Sequence, residues 1–156
     1  MHPNHGMPLW VVGHRLVSVP TTGDYALADV ELTPGVPGPP PHHHEEADEL
    51  YYVIDGAVEF FRDGAWHTVH RGERFLIPKG TLHSFRGVEG EPGRFLTIHD
   101  PGGPMDALFL KHGVPAGEPD AFERSVSDER LAAFGAAAAD HDMIIAAPEA
   151  ATPELA

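Results

Sequence analysis

Between Leu9 and Asp100 the chain reads as short β-like runs of apolar and polar residues broken by Gly and Pro: LWVVGHRLVSV, YALADVEL, ELYYVI, AVEFF, WHTVH, RFLIP, LHSF and RFLTIH. Many short strands at close spacing predict a sandwich or barrel. The clearest local signal is AVEFF-RDGA-WHTVH, where Asp63-Gly64 joins two alternating runs with residues that tolerate positive φ, so a hairpin is expected. No strand run is separated from the next by a helix-length connection, which disfavours a parallel sheet of βαβ units.

After Pro101 the pattern changes. Gly103-Pro104 opens a segment that places Met105, Leu108, Phe109 and His112 on one helical face, and Gly113 follows at the position of a C-terminal cap. Ser127 precedes the acids Asp128 and Glu129, and Leu131, Phe134 and Ala138 recur at helical spacing, so a second helix is predicted over about 128–139. The intervening VPAGEPDAF reads as loop, and the terminal AAPEAATPELA as a frayed end. The pattern therefore divides the chain into a β-barrel over 1–100 and a segment over 101–156 whose two short helices pack on the barrel. Neither helical face suggests chemistry.

A chain of 156 residues suits one compact domain. Ten Lys and Arg against 24 Asp and Glu give a formal charge of -14, half of it after Ala116. Such a chain repels phosphate backbones and anionic membranes, so neither nucleic acid nor membrane is an expected partner. The N-terminus lacks a basic start with a long apolar run, and no stretch approaches the ~20 apolar residues of a membrane span. A cytoplasmic location is the expectation. With no cysteine, disulfides, thiolate nucleophiles and Cys-ligated metals are excluded. A metal would have to use histidines and carboxylates, and the chain has 12 histidines.

Three of these are consecutive, in PPPHHHEEADE. On a strand His42 and His44 point to one side and His43 to the other. Glu49 lies five residues beyond His44, an odd separation, so it joins the same side only if Glu45–Asp48 turns or bulges. A further imidazole comes from GERFLIPKGTLH, where a strand meets a Pro-x-Gly turn and His83 starts the next strand. Three imidazoles with one carboxylate suit Fe(II), Mn, Co, Ni, Cu(II) or Zn and leave coordination positions open. Tyr51 and Val53 share parity with Glu49, and Phe85 with His83; they read as core packing or as walls of a small-molecule pocket. His67, His70 and His99 lie on predicted strands and read as satisfied or solvent-facing, although one of them could orient a ligand through a hydrogen bond.

At these residues the sequence resembles the cupin superfamily. Its first motif, G-x5-H-x-H-x3–4-E-x6-G, is matched by His42, His44, Glu49 and Gly56, and its second, G-x5-P-x-G-x2-H-x3-N, by Gly72, Pro78, Gly80 and His83. The opening glycine falls at Val36 and the closing asparagine is Gly87; neither is a ligand position. The strand ending in Asp100-Pro101-Gly102-Gly103 and the helical tail look like single-domain proteins similar to quercetin dioxygenases. The resemblance implies a double-stranded β-helix of jelly-roll type, often a homodimer. It also implies one divalent transition metal held by His42, His44, Glu49 and His83, and an aromatic or enolic substrate beside it. In such enzymes the ligand glutamate also takes the substrate hydroxyl proton, so Glu49 is the expected catalytic base, with Tyr51, Val53 and Phe85 as candidate substrate contacts. The leading expectation is a dioxygenase. A zinc-dependent cyclase or isomerase that moves protons without O2, and a binding cupin without turnover, are the alternatives.

Overall fold

The alternation in DELYYVIDGAVEFFR builds the longest strand of the protein. The computed structural model describes residues 1–147. Its strands are β1 (Pro8–Val11), β2 (His14–Val19), β3 (Ala26–Glu31), β4 (His42–His43), β5 (Asp48–Arg62), β6 (Ala65–His70), β7 (Arg74–Ile77), β8 (His83–Gly87), β9 (Gly93–Asp100), β10 (Val114–Pro115) and β11 (Ile144–Ile145). All pairings among them are antiparallel. The expected jelly-roll fold is what forms.

The two layers share β5. Its first half pairs with β7 and β9, and its second half with β6 and β8, with a register irregularity between Val53 and Asp55. Gly56 sits at this bend with φ 65°, and a Cβ there would lie 1.7 Å from the Pro92 carbonyl oxygen. Only glycine permits both the left-handed backbone and the close approach. One layer runs β10-β1-β2-β3-β9-β5 and the other continues through β8, β4 and β11. The Asp63–Gly64 hairpin forms with Arg62 opposite Ala65 and both turn residues at positive φ. The first apolar run is likewise a hairpin, β1 against β2, turning at Val12–Gly13.

Between the layers lies a core whose aromatic centre is Tyr51, Phe60, Phe75, Phe85 and Phe95. The inward residues of β9 are Phe95, Thr97 and His99. Its outward face carries the apolar pair Leu96 and Ile98, beside Tyr52 and Leu50, and Leu50 in turn adjoins the half-exposed Leu76.

The tail differs from expectation in three respects. Among the described residues there are three α-helices, α1 (Gly103–His112), α2 (Ala121–Ser125) and α3 (Asp128–Ala138), since the segment expected to be loop contains both β10 and the start of α2. Trp10 packs edge-on against Phe122 at 5.1 Å, and Gly13 N–H donates to Ser125 Oγ, so tertiary contacts stabilise a five-residue helix that propensity alone does not support. Leu131 faces solvent, while Phe134 and Ala138 are buried. The tail also adds a strand to each layer, β10 beside β1 and β11 beside β4. Ser127 caps α3 as expected, its Oγ accepting from Arg130 N–H. Of the end expected to fray, Ala146 is held by its N–H to Pro41 O at 2.9 Å, and the part beyond Ala147 lies outside the described residues. Among the described residues no helix is long and apolar enough to cross a membrane.

Candidate metal centre

Strand pairing places the four candidate ligands together. His42 on β4 stands opposite His83 on β8, and Glu49 enters from β5 after the chain bends at Glu45–Glu46. That bend supplies the parity change that an unbroken strand would forbid. One ligand atom from each of His42, His44, Glu49 and His83 lies within 4.8 Å of the others, and all four residues are buried. His43 points away, half-buried, with Nε2 3.7 Å from Glu45 Oε1. Parity thus separates neighbouring imidazoles as expected.

Each of the three inward imidazoles is oriented by a main-chain carbonyl. His42 Nδ1 donates to Pro40 O at 2.9 Å, His44 Nδ1 to Asp142 O at 2.6 Å and His83 Nδ1 to Thr81 O at 2.8 Å. A carbonyl can only accept, so the proton of each neutral ring sits on Nδ1 and the Nε2 lone pairs are left to the cluster. Glu49 Oε1 lies 3.1 Å from His44 Nε2 and 3.0 Å from His83 Nε2. Such a gathering of acceptors is repulsive unless a proton or a cation lies among them. The donor set therefore fits one divalent transition metal with open positions.

The electrostatics agree. Burial, and then the neighbouring His83 and His44, hold the His42 imidazole well below its ordinary pKa. Burial also opposes charge on His44, but the hydrogen bond and charge of Glu49 outweigh it and raise its pKa. For Glu49 itself burial opposes charge, but the nearby His99 and then the His44 and His83 imidazoles outweigh it, and its carboxyl falls well below the usual range. A carboxylate is thus kept ionised in an apolar interior.

The second carboxylate oxygen has partners of its own. Thr97 Oγ1 donates to Glu49 Oε2 at 2.5 Å, and His99 Nε2 lies 3.1 Å from the same oxygen, too oblique for a formed hydrogen bond. His99 is 2% exposed and directly opposite Glu49 in the β5–β9 register. The sequence allows it to be a satisfied strand residue or one that orients a ligand, without deciding between them. Leu96 and Ile98 are the apolar pair of β9 and Thr97 and His99 its polar pair, so alternation alone would turn His99 outward. Asp142 is the other unforeseen participant: beyond its carbonyl on His44, its carboxylate accepts from the Glu45 and Glu46 N–H groups at 2.7 and 3.2 Å. A backbone acceptor leaves no mark in a sequence pattern.

Beside the cluster is a cavity of about 80 Å³. His42, Glu49, Thr97 and His99 give it one polar region, and Tyr51, Phe85 and Phe95 are among its apolar walls. Burial and then the Glu49 carboxylate push the Tyr51 phenol well up, so its hydroxyl stays protonated. Val53 is fully buried in the core and does not line the cavity, because the register places it opposite Phe95 one step deeper than the Tyr51–Thr97 pair. His14 lines the cavity but is committed elsewhere: Nδ1 accepts from Thr33 N–H and Nε2 donates to Pro37 O. His67 stacks near Phe75 and His70 is exposed on β6. The helical residues Met105, Phe109 and Phe134, together with Met143, complete the walls.

Residues 28–99 match the family model described as Cupin domain. No curated protein matches the chain by sequence. The fold is similar to KdgF from Halomonas sp., with 26% identity and a TM-score of 0.51 over 56% of this chain and 79% of that one. It is similar to TT1209 from Thermus thermophilus, with 22% identity and a TM-score of 0.51 over 55% and 81%. A cupin-superfamily sugar phosphate isomerase from Silicibacter pomeroyi is 25% identical with a TM-score of 0.51, covering 56% of this chain but 59% of the isomerase. The motif spacing and the buried histidine–glutamate cluster fall in the segment, residues 28–99, that matches the Cupin domain model.

Proposed function

We propose that the chain is a divalent-metal-dependent enzyme that oxygenates a small aromatic or enolic compound. The observation that carries this reading is the burial of three oriented imidazoles and an ionised carboxylate at the polar side of an otherwise apolar cavity. His42, His44, Glu49 and His83 would hold the ion. When bound, a transition metal supplies Lewis acidity toward a substrate oxygen and, if redox-active, a route for electrons to O2.

The remaining steps belong to the protein. Phe85 and Phe95 hold the ring of the substrate, and the apolar walls exclude bulk water. Glu49 accepts the proton of the substrate hydroxyl, leaving an electron-rich enolate that reacts with O2, both of whose atoms enter the product. Thr97 holds Oε2 by its hydroxyl, so the carboxylate is positioned while its basicity is moderated. The Tyr51 hydroxyl, protonated throughout, donates to the charge that develops nearby.

A second reading, proton transfer without O2 in a zinc-dependent cyclase or isomerase, is favoured by one observation: Glu49 Oε2 and His99 Nε2 stand 3.1 Å apart and both residues line the cavity. The isomerase likeness supports that class of chemistry. A sugar phosphate does not suit this cavity, since none of the described residues lining it is Lys or Arg.

Metal content and oxygen uptake separate the readings. Elemental analysis of protein purified without added metal should give about one redox-active ion per chain, and O2 consumption should match loss of a small enol. Solvent deuterium incorporated into the enol under anaerobic conditions, with no O2 consumed in air, would replace the first reading by the second. Recovery of an unchanged bound ligand with neither would leave a binding cupin.

A further inference from the structure

The tail shares in the wall of the cavity. Four of its walls come from beyond Pro101: Met105 and Phe109 on α1, Phe134 on α3, and Met143 between the 3-10 turn Ala139–His141 and β11. Met105, Phe134 and Met143 are all buried, and the Phe109 ring centroid is 6.3 Å from that of His99, so the helical wall reaches the polar region itself.

These four side chains are held differently from the barrel walls. Tyr51 and Phe95 project from central strands paired on both sides, and Phe85 from a strand paired there with β5. Phe134 projects from a helix with no strand pairing, and Met143 from a two-residue connection whose N–H bonds to Ala138 O. Shortening either side chain removes wall without cutting a ladder. Two of the four are methionines, whose unbranched thioethers can re-pack around a guest.

Volume then selects the guest. An apolar cavity of roughly 150 Å³ accommodates a benzene-sized molecule, and this one measures about 80 Å³. One aromatic ring enters if the methionines rotate, whereas a fused or multi-ring compound would need the helices to move. Charge narrows the class further. The described lining has no Lys or Arg and includes the Glu49 carboxylate, so an anionic substituent away from the metal ligands would be desolvated without a partner.

Resting on the reading of this cavity as the substrate site, we infer that Phe134 and Met143 are specificity-determining residues that restrict the protein to neutral, single-ring hydroxy compounds. The flavonol-sized substrates of the enzymes it resembles are excluded by this wall. The cupin barrel supplies the chemistry and the C-terminal segment supplies the selection.

The test is a binding ladder on the full chain loaded with Zn(II), which does not cycle redox states and leaves the probes unchanged. Phenol, 2-naphthol and 9-phenanthrol carry one hydroxyl each and differ in ring number. More apolar surface favours tighter binding by default. A restricting wall reverses that order, and phenol should bind at least ~10-fold more tightly than either fused-ring probe. In Phe134→Ala and in Met143→Ala the affinity for 2-naphthol relative to phenol should rise by ~10-fold or more, while zinc content stays at the wild-type level. If Phe134→Ala does not fold, Met143→Ala decides. Absence of phenol binding, a wild type that prefers the fused rings, or variants that leave the ratio unchanged each overturn the inference. A ladder that holds while no oxygenation or proton exchange is found overturns the proposed reaction instead.

Discussion

The polar and apolar sides of the cavity are built by opposite means. On the polar side every ligand comes from a strand or the bend joining two strands, and each inward imidazole has its second nitrogen tied to a carbonyl. On the helical side the walls are long, unbranched or aromatic side chains held only by packing. Metal coordination tolerates little positional error, and hydrogen-bonded strands with a second set of bonds provide that rigidity. Substrate selection tolerates adaptation, and helices packed through side chains provide it. The comparison teaches that one cavity can hold a fixed reagent and an adjustable fit if each is carried by a different kind of secondary structure.

If the polar side is a metal centre, the largest effect belongs to its ligands. His44→Ala and His83→Ala should each lower metal content from about one ion per chain to near zero and abolish activity in parallel, as elemental analysis and assay together would show. Metal retained at full stoichiometry by both variants would refute the assignment. A step smaller is the support of Glu49: Thr97→Val or His99→Gln should weaken metal binding by roughly 10–100-fold in a competition titration, with the fold intact by circular dichroism. An affinity equal to wild type would show that Oε2 needs no anchor.

Asp142 tests whether the tail reaches into the rigid side. It has φ 60° and accepts from Glu45 and Glu46 N–H while its carbonyl orients His44. Asp142→Ala loses both acceptors at a left-handed position and should weaken metal binding by up to ~10-fold. Asp142→Asn keeps one acceptor and the backbone tolerance, so its loss should be smaller, and equal losses would show that the side chain is not what holds His44.

A pH dependence follows from His14, which burial holds neutral below its ordinary 6.5 despite its bond to Pro37. Below 6.5 the unfolded chain takes up a proton that the folded chain refuses, so this contribution is complete above that pH and is lost as pH falls. Urea denaturation between pH 8 and 5 should show stability declining on the acid side, with His14 contributing a slope of no more than about 1.4 kcal/mol per pH unit. The same titration on His14→Gln should be flatter. The smallest effect is expected at His43→Ala, outside the cluster, where metal content should stay at wild type and stability within about 0.5 kcal/mol. Metal loss there would break the parity argument.

Much of this was legible beforehand because strands have a period of two. His42 and His44 against His43, Tyr51 with Glu49, and the Asp63–Gly64 turn all follow from alternation and turn chemistry, which act between near neighbours. Val53 shows the limit of the same rule: parity placed it inward, and depth along the strand then put it in the core instead of the cavity. His99 marks a second limit, since the apolar Leu96 and Ile98 of β9 face outward and alternation alone would turn Thr97 and His99 to solvent. The helix α2 was missed because five residues held by Trp10 and Ser125 contacts owe their conformation to a distant strand.

By itself, then, the sequence determined the ligand types, their spacing and the faces on which strands would carry them, because covalent geometry and local sterics decide those matters. Only the tertiary structure decided that β9 brings Thr97 and His99 behind Glu49, that a carbonyl 98 residues away orients His44, and that the tail walls the cavity. Those relations depend on how layers and helices pack across long separations in the chain, and packing shape is a property of the folded whole.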